Sequence, residues 1–115
     1  MKILIATLTA AGMLMLFLTL FAPAANAAVD DAKAQDLLKN GGCVACHSVD
    51  KKVLGPSYKD VAQKRKGEKD AVATLENAVR NGSKGTYGTI PMPPNPQSKI
   101  SDADLHDLIQ WVLTK

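Results

Sequence analysis

From residue 29 onward, apolar side chains recur every three or four positions in four stretches, each ended by glycine, proline or a polar run. That interval places them on one face of a helix. Val29 to Asn40 is the first stretch, with Leu37 and Leu38 as its inward residues, acidic Asp30 and Asp31 in its first turn, and Gly41-Gly42 as its stop. Ser57 to Lys66 is the second, turning Tyr58, Val61 and Ala62 inward before Gly67. Lys69 to Asn81 carries Val72, Leu75, Ala78 and Val79 on one stripe and ends at Asn81-Gly82. Ser101 to Lys115 opens on Ser101-Asp102-Ala103-Asp104, a capping sequence, and keeps Leu105, Leu108, Ile109 and Val112 in helical register with Trp111 at the flank. The pattern predicts an all-α domain. Gly82 to Ile100 has no such period. Its Pro91, Pro93, Pro94 and Pro96 predict a stiff, extended path, and a segment this long inside a small domain is usually functional.

The chain is 115 residues long, enough for one domain. Met1-Lys2, the apolar run Ile3 to Ala22, Pro23 and then Ala25-Asn26-Ala27 read as a secretory signal. Residues 1–27 are therefore expected to be removed, leaving 28–115 as a domain outside the cytoplasm; the alternative is that the run is kept as a membrane anchor. Losing Lys2 takes fourteen basic residues to thirteen against eleven acidic ones, a formal +2. That balance gives no case for nucleic acid, which wants a strongly basic face. The run Lys64-Arg65-Lys66 reads most simply as a solvated face. Only Tyr58, Tyr87 and Trp111 remain as aromatics after Ala27. So small a domain buries little surface, and a bound apolar group would supply the missing mass.

Cys43-Val44-Ala45-Cys46-His47 supplies one. Two thiols three apart followed by an imidazole is the attachment pattern for c-type haem. One helical turn puts both sulfurs on the same side, where they reach two vinyl groups of one porphyrin. His47 then lies beneath the ring and offers a nitrogen to the iron. Three rivals exist. A thioredoxin-like thiol–disulfide pair wants a preceding strand, and the residues before Cys43 read as helix. Structural zinc would need Cys43, Cys46, His47 and the isolated His106 together; His106 lies off the apolar stripe of its helix and reads as a surface residue. A plain disulfide is open to any exported protein.

Met1, Met13 and Met15 fall in the leader, so Met92 is the one methionine after residue 27. Held in the proline-rich segment, its thioether would be presented to an iron at small entropic cost; otherwise it fills core. A ligating histidine needs its other nitrogen held by an acceptor. The carbonyl near Pro56 is a candidate, and an ordinary turn is the alternative.

Taken together, GCVACH (Gly42 to His47), GPSYKDVA (Gly55 to Ala62), NGSKGTYG (Asn81 to Gly88) and IPMPPN (Ile90 to Asn95) resemble the small single-haem class I cytochromes c of bacterial periplasms. The resemblance runs from about Leu37 to the C-terminus. It implies four helices wrapped around one haem with an exposed edge. Cys43 and Cys46 would carry the haem c, with His47 and Met92 as axial ligands of its iron. The Pro56 carbonyl would accept from His47, and Asn95 would bond near the Met92 sulfur. The first and last helices would cross near Leu38 and Trp111. Two positions depart from the family. Tyr87 stands where many relatives have a tryptophan that holds a haem propionate, and Arg65 stands where an aromatic is common, a change expected to expose or loosen the edge of the second helix.

The resemblance implies a monomeric one-electron carrier rather than an enzyme. Its partners would be redox proteins docking briefly at the haem edge, such as a terminal oxidase, a haem nitrite reductase or a peroxidase. Val44, Pro56, Pro91, Pro93 and Pro94 would ring that edge, with Lys51, Lys52 and Lys84 as steering charges. A haem protein with an open sixth position, acting as gas sensor or peroxidase, is the alternative, and a thiol–disulfide protein is the second alternative.

Overall fold

The computed structural model describes residues 29–115; the leader expected over 1–27 lies outside the described residues. Four helices form: α1 (Asp31–Asn40), α2 (Tyr58–Lys64), α3 (Ala71–Asn81) and α4 (Asp102–Val112). Cys43–Ala45 makes a single 3-10 turn. Each helix begins one or two residues later than its apolar pattern predicts, and for α1, α2 and α4 the reason is a cap; Asp70, ahead of α3, makes no side-chain cap bond. Asp30, Ser57 and Ser101 have extended backbones, and their side-chain oxygens accept the amides of Lys33, Asp60 and Asp104. They are caps that satisfy otherwise orphaned first-turn donors, so they sit just outside the helix. α1 ends as Gly41 and Gly42 fold back on Leu37 and Lys39; Gly42, at φ 71°, takes the left-handed turn that opens the cysteine segment.

α4 is the axis of the domain. It packs on α1, α2 and α3, whereas the backbones of those three do not come within 8 Å of one another, Cα to Cα. Leu105, Leu108, Ile109, Trp111 and Val112 of α4 are buried against Ala34, Leu37 and Leu38 of α1, Tyr58 and Val61 of α2, and Leu75 of α3. A buried leucine in such a cluster contributes roughly 2 kcal/mol. Trp111, read from the sequence as a flank, is inside. Burial is possible because its indole N–H has a partner, donating to Asp31 Oδ1 at 2.7 Å. Lys115 reaches the same oxygen at 3.2 Å and lies 3.9 Å above the indole. The indole bond first, and Lys115 second, hold the Asp31 carboxyl below its ordinary pKa. This clasp joins the start of α1 to the end of α4.

His106 keeps 38% of its side chain exposed and does not line the cavity described below, but it is not idle: its Nδ1 is 2.7 Å from Glu76 Oε1 on α3, and its Nε2 is 3.0 Å from Gln110. It ties α4 to α3. On α3, Ala71 and Leu75 are buried while Val72, Ala78 and Val79 stay half-exposed. Leu75, Ala78 and Val79 line a cavity of about 520 Å³ that the helices enclose together with the long segment before α4.

Candidate functional site

Cys43, Cys46 and His47 line that cavity. The 3-10 turn presents the thiols better than an α-turn would, because side chains at i and i+3 eclipse in it. It is closed by the Cys46 and His47 amides, both donating to the Cys43 carbonyl, at 3.1 and 3.0 Å. The chain then loops back under the imidazole: the Gly55 amide donates to the Cys46 carbonyl at 2.8 Å. The approach is so close that a Cβ on Gly55 would sit 2.5 Å from His47 Cε1. Glycine is needed there for space, not for backbone conformation. The next residue supplies the acceptor: His47 Nδ1 lies 2.8 Å from the Pro56 carbonyl oxygen. A carbonyl can only accept, so Nδ1 carries a proton, and the neutral ring is then the tautomer that presents an Nε2 lone pair. Tyr58 stacks on the imidazole, ring centroids 5.4 Å apart, and meets Trp111 edge-on. Burial pushes its phenol well above the ordinary tyrosine pKa.

Met92 lines the same cavity from the proline-rich segment. Its backbone is paired twice with Ser83, at 3.0 and 2.8 Å. Gly82, at φ 84°, makes that pairing possible; a Cβ there would lie 2.8 Å from the Met92 carbonyl oxygen. Asn95 closes the segment. Its backbone amide donates to the Val79 carbonyl, and its side-chain Nδ2 donates to the Gly41 carbonyl at 2.7 Å. The loop is therefore bonded to the residues just ahead of the cysteines. Arg80, which sequence reasoning missed, clamps the loop from α3. Its guanidinium donates to the carbonyls of Asn95 and Ile100, at 3.2 and 2.8 Å, and to Asp102 at 2.7 Å. The one signal available was a cation in the last turn of a helix, where carbonyls lack partners. Arg80→Ala leaves those carbonyls without their donor. We expect it to cost about 2–3 kcal/mol in guanidinium unfolding and to speed exogenous imidazole binding to the ferric protein, by stopped-flow absorbance.

Arg65 does not loosen the edge of α2, as the sequence led one to expect. Its side chain is 15% exposed, paired with Glu68 at 3.1 Å, and lines the cavity. Among the described residues, four buried side-chain atoms have no hydrogen-bond partner: Tyr58 Oη, Arg65 Nε, Tyr87 Oη and Asn95 Oδ1. All four residues line this one cavity. Such atoms are costly unless a ligand meets them. An apolar enclosure with two thiols, an oriented imidazole and unmet polar atoms fits a large planar group with polar substituents, which is what a haem is. It does not fit a thioredoxin-like pair or structural zinc. Burial raises the Cys43 thiol pKa, opposite to a redox-active thiolate. Among the described residues there is no β-strand beyond isolated bridges, and no three His, Cys, Asp or Glu side chains group as metal ligands.

Fold and cavity thus define a small helical haem carrier. A family model for cytochrome c matches residues 32–115. Cytochrome c-551 of Pseudomonas aeruginosa is 51% identical over 79 residues, covering 69% of this chain and 73% of that protein. Cytochrome c-552 of Nitrosomonas europaea is 47% identical over 79 residues, covering 69% and 75%. The crystal structure of wild-type Nitrosomonas europaea cytochrome c552 superposes with a TM-score of 0.65 at 46% identity, covering 70% of this chain and 96% of that one. The class 1 cytochrome MtoD from Sideroxydans lithotrophicus gives 0.64 at 37% identity, covering 76% and 97%. The chain belongs to the cytochrome c family. It is an electron-transfer protein, not an enzyme, and carries one haem c covalently through Cys43 and Cys46.

Proposed function

We propose that His47 Nε2 and Met92 Sδ are the axial ligands of the haem iron, and that the protein is an exported, monomeric one-electron carrier between respiratory redox proteins. The observation that carries this is the pair of anchors. The Pro56 carbonyl fixes the protonated nitrogen of His47, and two backbone bonds to Ser83 fix Met92, in residues that line one cavity. An imidazole so held is a more basic ligand. A thioether favours ferrous iron and raises the potential. With both positions filled, the bound group supplies reversible one-electron chemistry and leaves no place for a substrate. Asn95 and Arg80 keep the methionine segment in place, and Tyr87 bonds a haem propionate, a reading supported by its unpartnered hydroxyl in the cavity lining. Export rests on the leader read in residues 1–27.

The partner surface is the cavity rim. Val53, Leu54 and Ile90 line the cavity and are more than half exposed, as is nearby Val44. Pro91, Pro93 and Pro94 are exposed beside them, with Lys51, Lys52 and Lys84 around the edge. A small apolar patch ringed by cations suits the brief contacts of electron carriers. The sequence pointed to the prolines and lysines but not to Val53, Leu54 and Ile90.

The purified exported protein should have the mass of residues 28–115 plus one haem. Its ferric form should show the weak absorption band at the red end of the spectrum that sulfur ligation gives, and its ferrous form should not take up carbon monoxide. Rapid carbon monoxide binding by the native ferrous protein would instead support an open sixth position and the sensor or peroxidase reading.

A further inference from the structure

Tyr87 packs its ring against the core, but packing does not explain the buried polar atoms that it and Arg65 turn to the cavity. Arg65 closes the C-terminal end of α2, and the turn after it, through Gly67 at φ 80°, brings Glu68 back: the Glu68 amide donates to the Arg65 carbonyl at 3.1 Å. Both Glu68 carboxylate oxygens then face Arg65 Nη1, at 3.1 and 3.4 Å. That pairing holds one edge of the guanidinium and raises its already high pKa. The other edge is different. Nε is buried and has no acceptor, and the Tyr87 hydroxyl, from the loop opposite, is buried and unpartnered too. Both side chains line the haem cavity, and the Tyr87 hydroxyl lies within hydrogen-bonding reach of the Arg65 guanidinium, so the two can act on one ligand. Lys64 Nζ, 5.5 Å from the Tyr87 ring centroid, adds a second positive charge. A buried N–H on a cation beside a buried O–H calls for an anionic acceptor with two oxygens.

We propose that Arg65 Nε–H and Tyr87 Oη–H together bind one carboxylate of the haem, with Glu68 acting as the positioning residue that sets the guanidinium. This deepens the role given to Tyr87 above and rests on that reading of the cavity. The cation comes from α2, at the position where the sequence led one to expect a loosened edge. Its consequence is electrostatic. A cation beside a carboxyl lowers its pKa by about 1–3 units, so the carboxylate stays ionised well below neutral pH. Its charge is then constant over the working range, and the reduction potential does not follow pH there. The other charges facing this group are Glu68, which opposes the effect, and Lys52, Lys64, Lys84 and Lys99, which reinforce it; Lys66 and Lys115 line the outer groove beyond Arg65.

The first test uses the unaltered holoprotein. In its ferrous, diamagnetic form, proton NMR should show an Arg65 Nε–H slow to exchange with water and in nuclear Overhauser contact with propionate methylene protons. A fast-exchanging proton without that contact overturns the proposal. The second test follows midpoint potential against pH. Arg65→Met removes the cation at similar length, so the carboxyl pKa rises, and the region where potential falls with rising pH should move up by about 1–3 pH units. Tyr87→Phe should move it less in the same direction, and Arg65→Lys should lie nearer the unaltered protein. Superimposable curves overturn the proposal. The red-end band and the refusal of carbon monoxide, read on the same samples, report Met92 separately. A failed axial pair changes the spectrum, whereas a failed carboxylate site leaves it intact with an unmoved curve.

Discussion

Met92→Ala is expected to lose the red-end band of the ferric spectrum, to bind carbon monoxide rapidly when reduced, and to lower the midpoint potential by at least about 100 mV. That drop is a modest part of the roughly 0.8 V that axial ligands command. The direction follows from charge. A neutral, soft sulfur stabilises ferrous iron over ferric, and water in its place prefers the ferric ion. The fold should tolerate the change. Met92 is only half-buried, and the loop is held by the backbone of Met92, by Asn95 and by Arg80, none of which needs the side chain of Met92. An unchanged spectrum and potential would remove Met92 from its role.

Preventing haem attachment is expected to have the larger structural effect. The Cys43→Ala/Cys46→Ala chain, exported without its haem, should lose most of its far-ultraviolet helical circular dichroism and its cooperative unfolding. The helices are 7 to 11 residues long, below the roughly 12–15 at which isolated helices become even marginal in water. α1, α2 and α3 each lean on α4 but not on one another. The half-exposed Ala78 and Val79 on α3 and the exposed Val53 and Leu54 point to the same centre, since all line the cavity. The porphyrin is therefore the common partner of elements that otherwise share only one neighbour. A haem-free chain with native helix content would contradict this.

The helices were legible from the sequence because their signal is local: an apolar interval and a stop. The starts of α1, α2 and α4 were misplaced because an aspartate or serine that caps a helix looks, in one dimension, like part of its first turn. The haem attachment was legible for a related reason: Cys43, Cys46 and His47 are contiguous. Met92, singled out by its proline setting, lines the same cavity. What the sequence did not carry were partnerships across the fold. Trp111 could go inside only because Asp31, at the far end of the domain, takes its N–H. His106 found Glu76 on another helix. Arg65 could turn inward only because Glu68 folds back to hold it. The Arg80 clamp depends on where the carbonyls of Asn95 and Ile100 come to rest. None of these has a periodic or motif signature.

The prolines around Met92 have a kinetic consequence. Pro91, Pro93 and Pro94 have fixed φ angles and no amide to exchange for water, and the one amide between Pro91 and Pro93 is already spent on Ser83. With the axial pair proposed above, the Met92 sulfur on such a segment would travel little when the iron gains or loses charge, so the inner-sphere reorganisation energy would be small and a fleeting encounter long enough for the electron to pass.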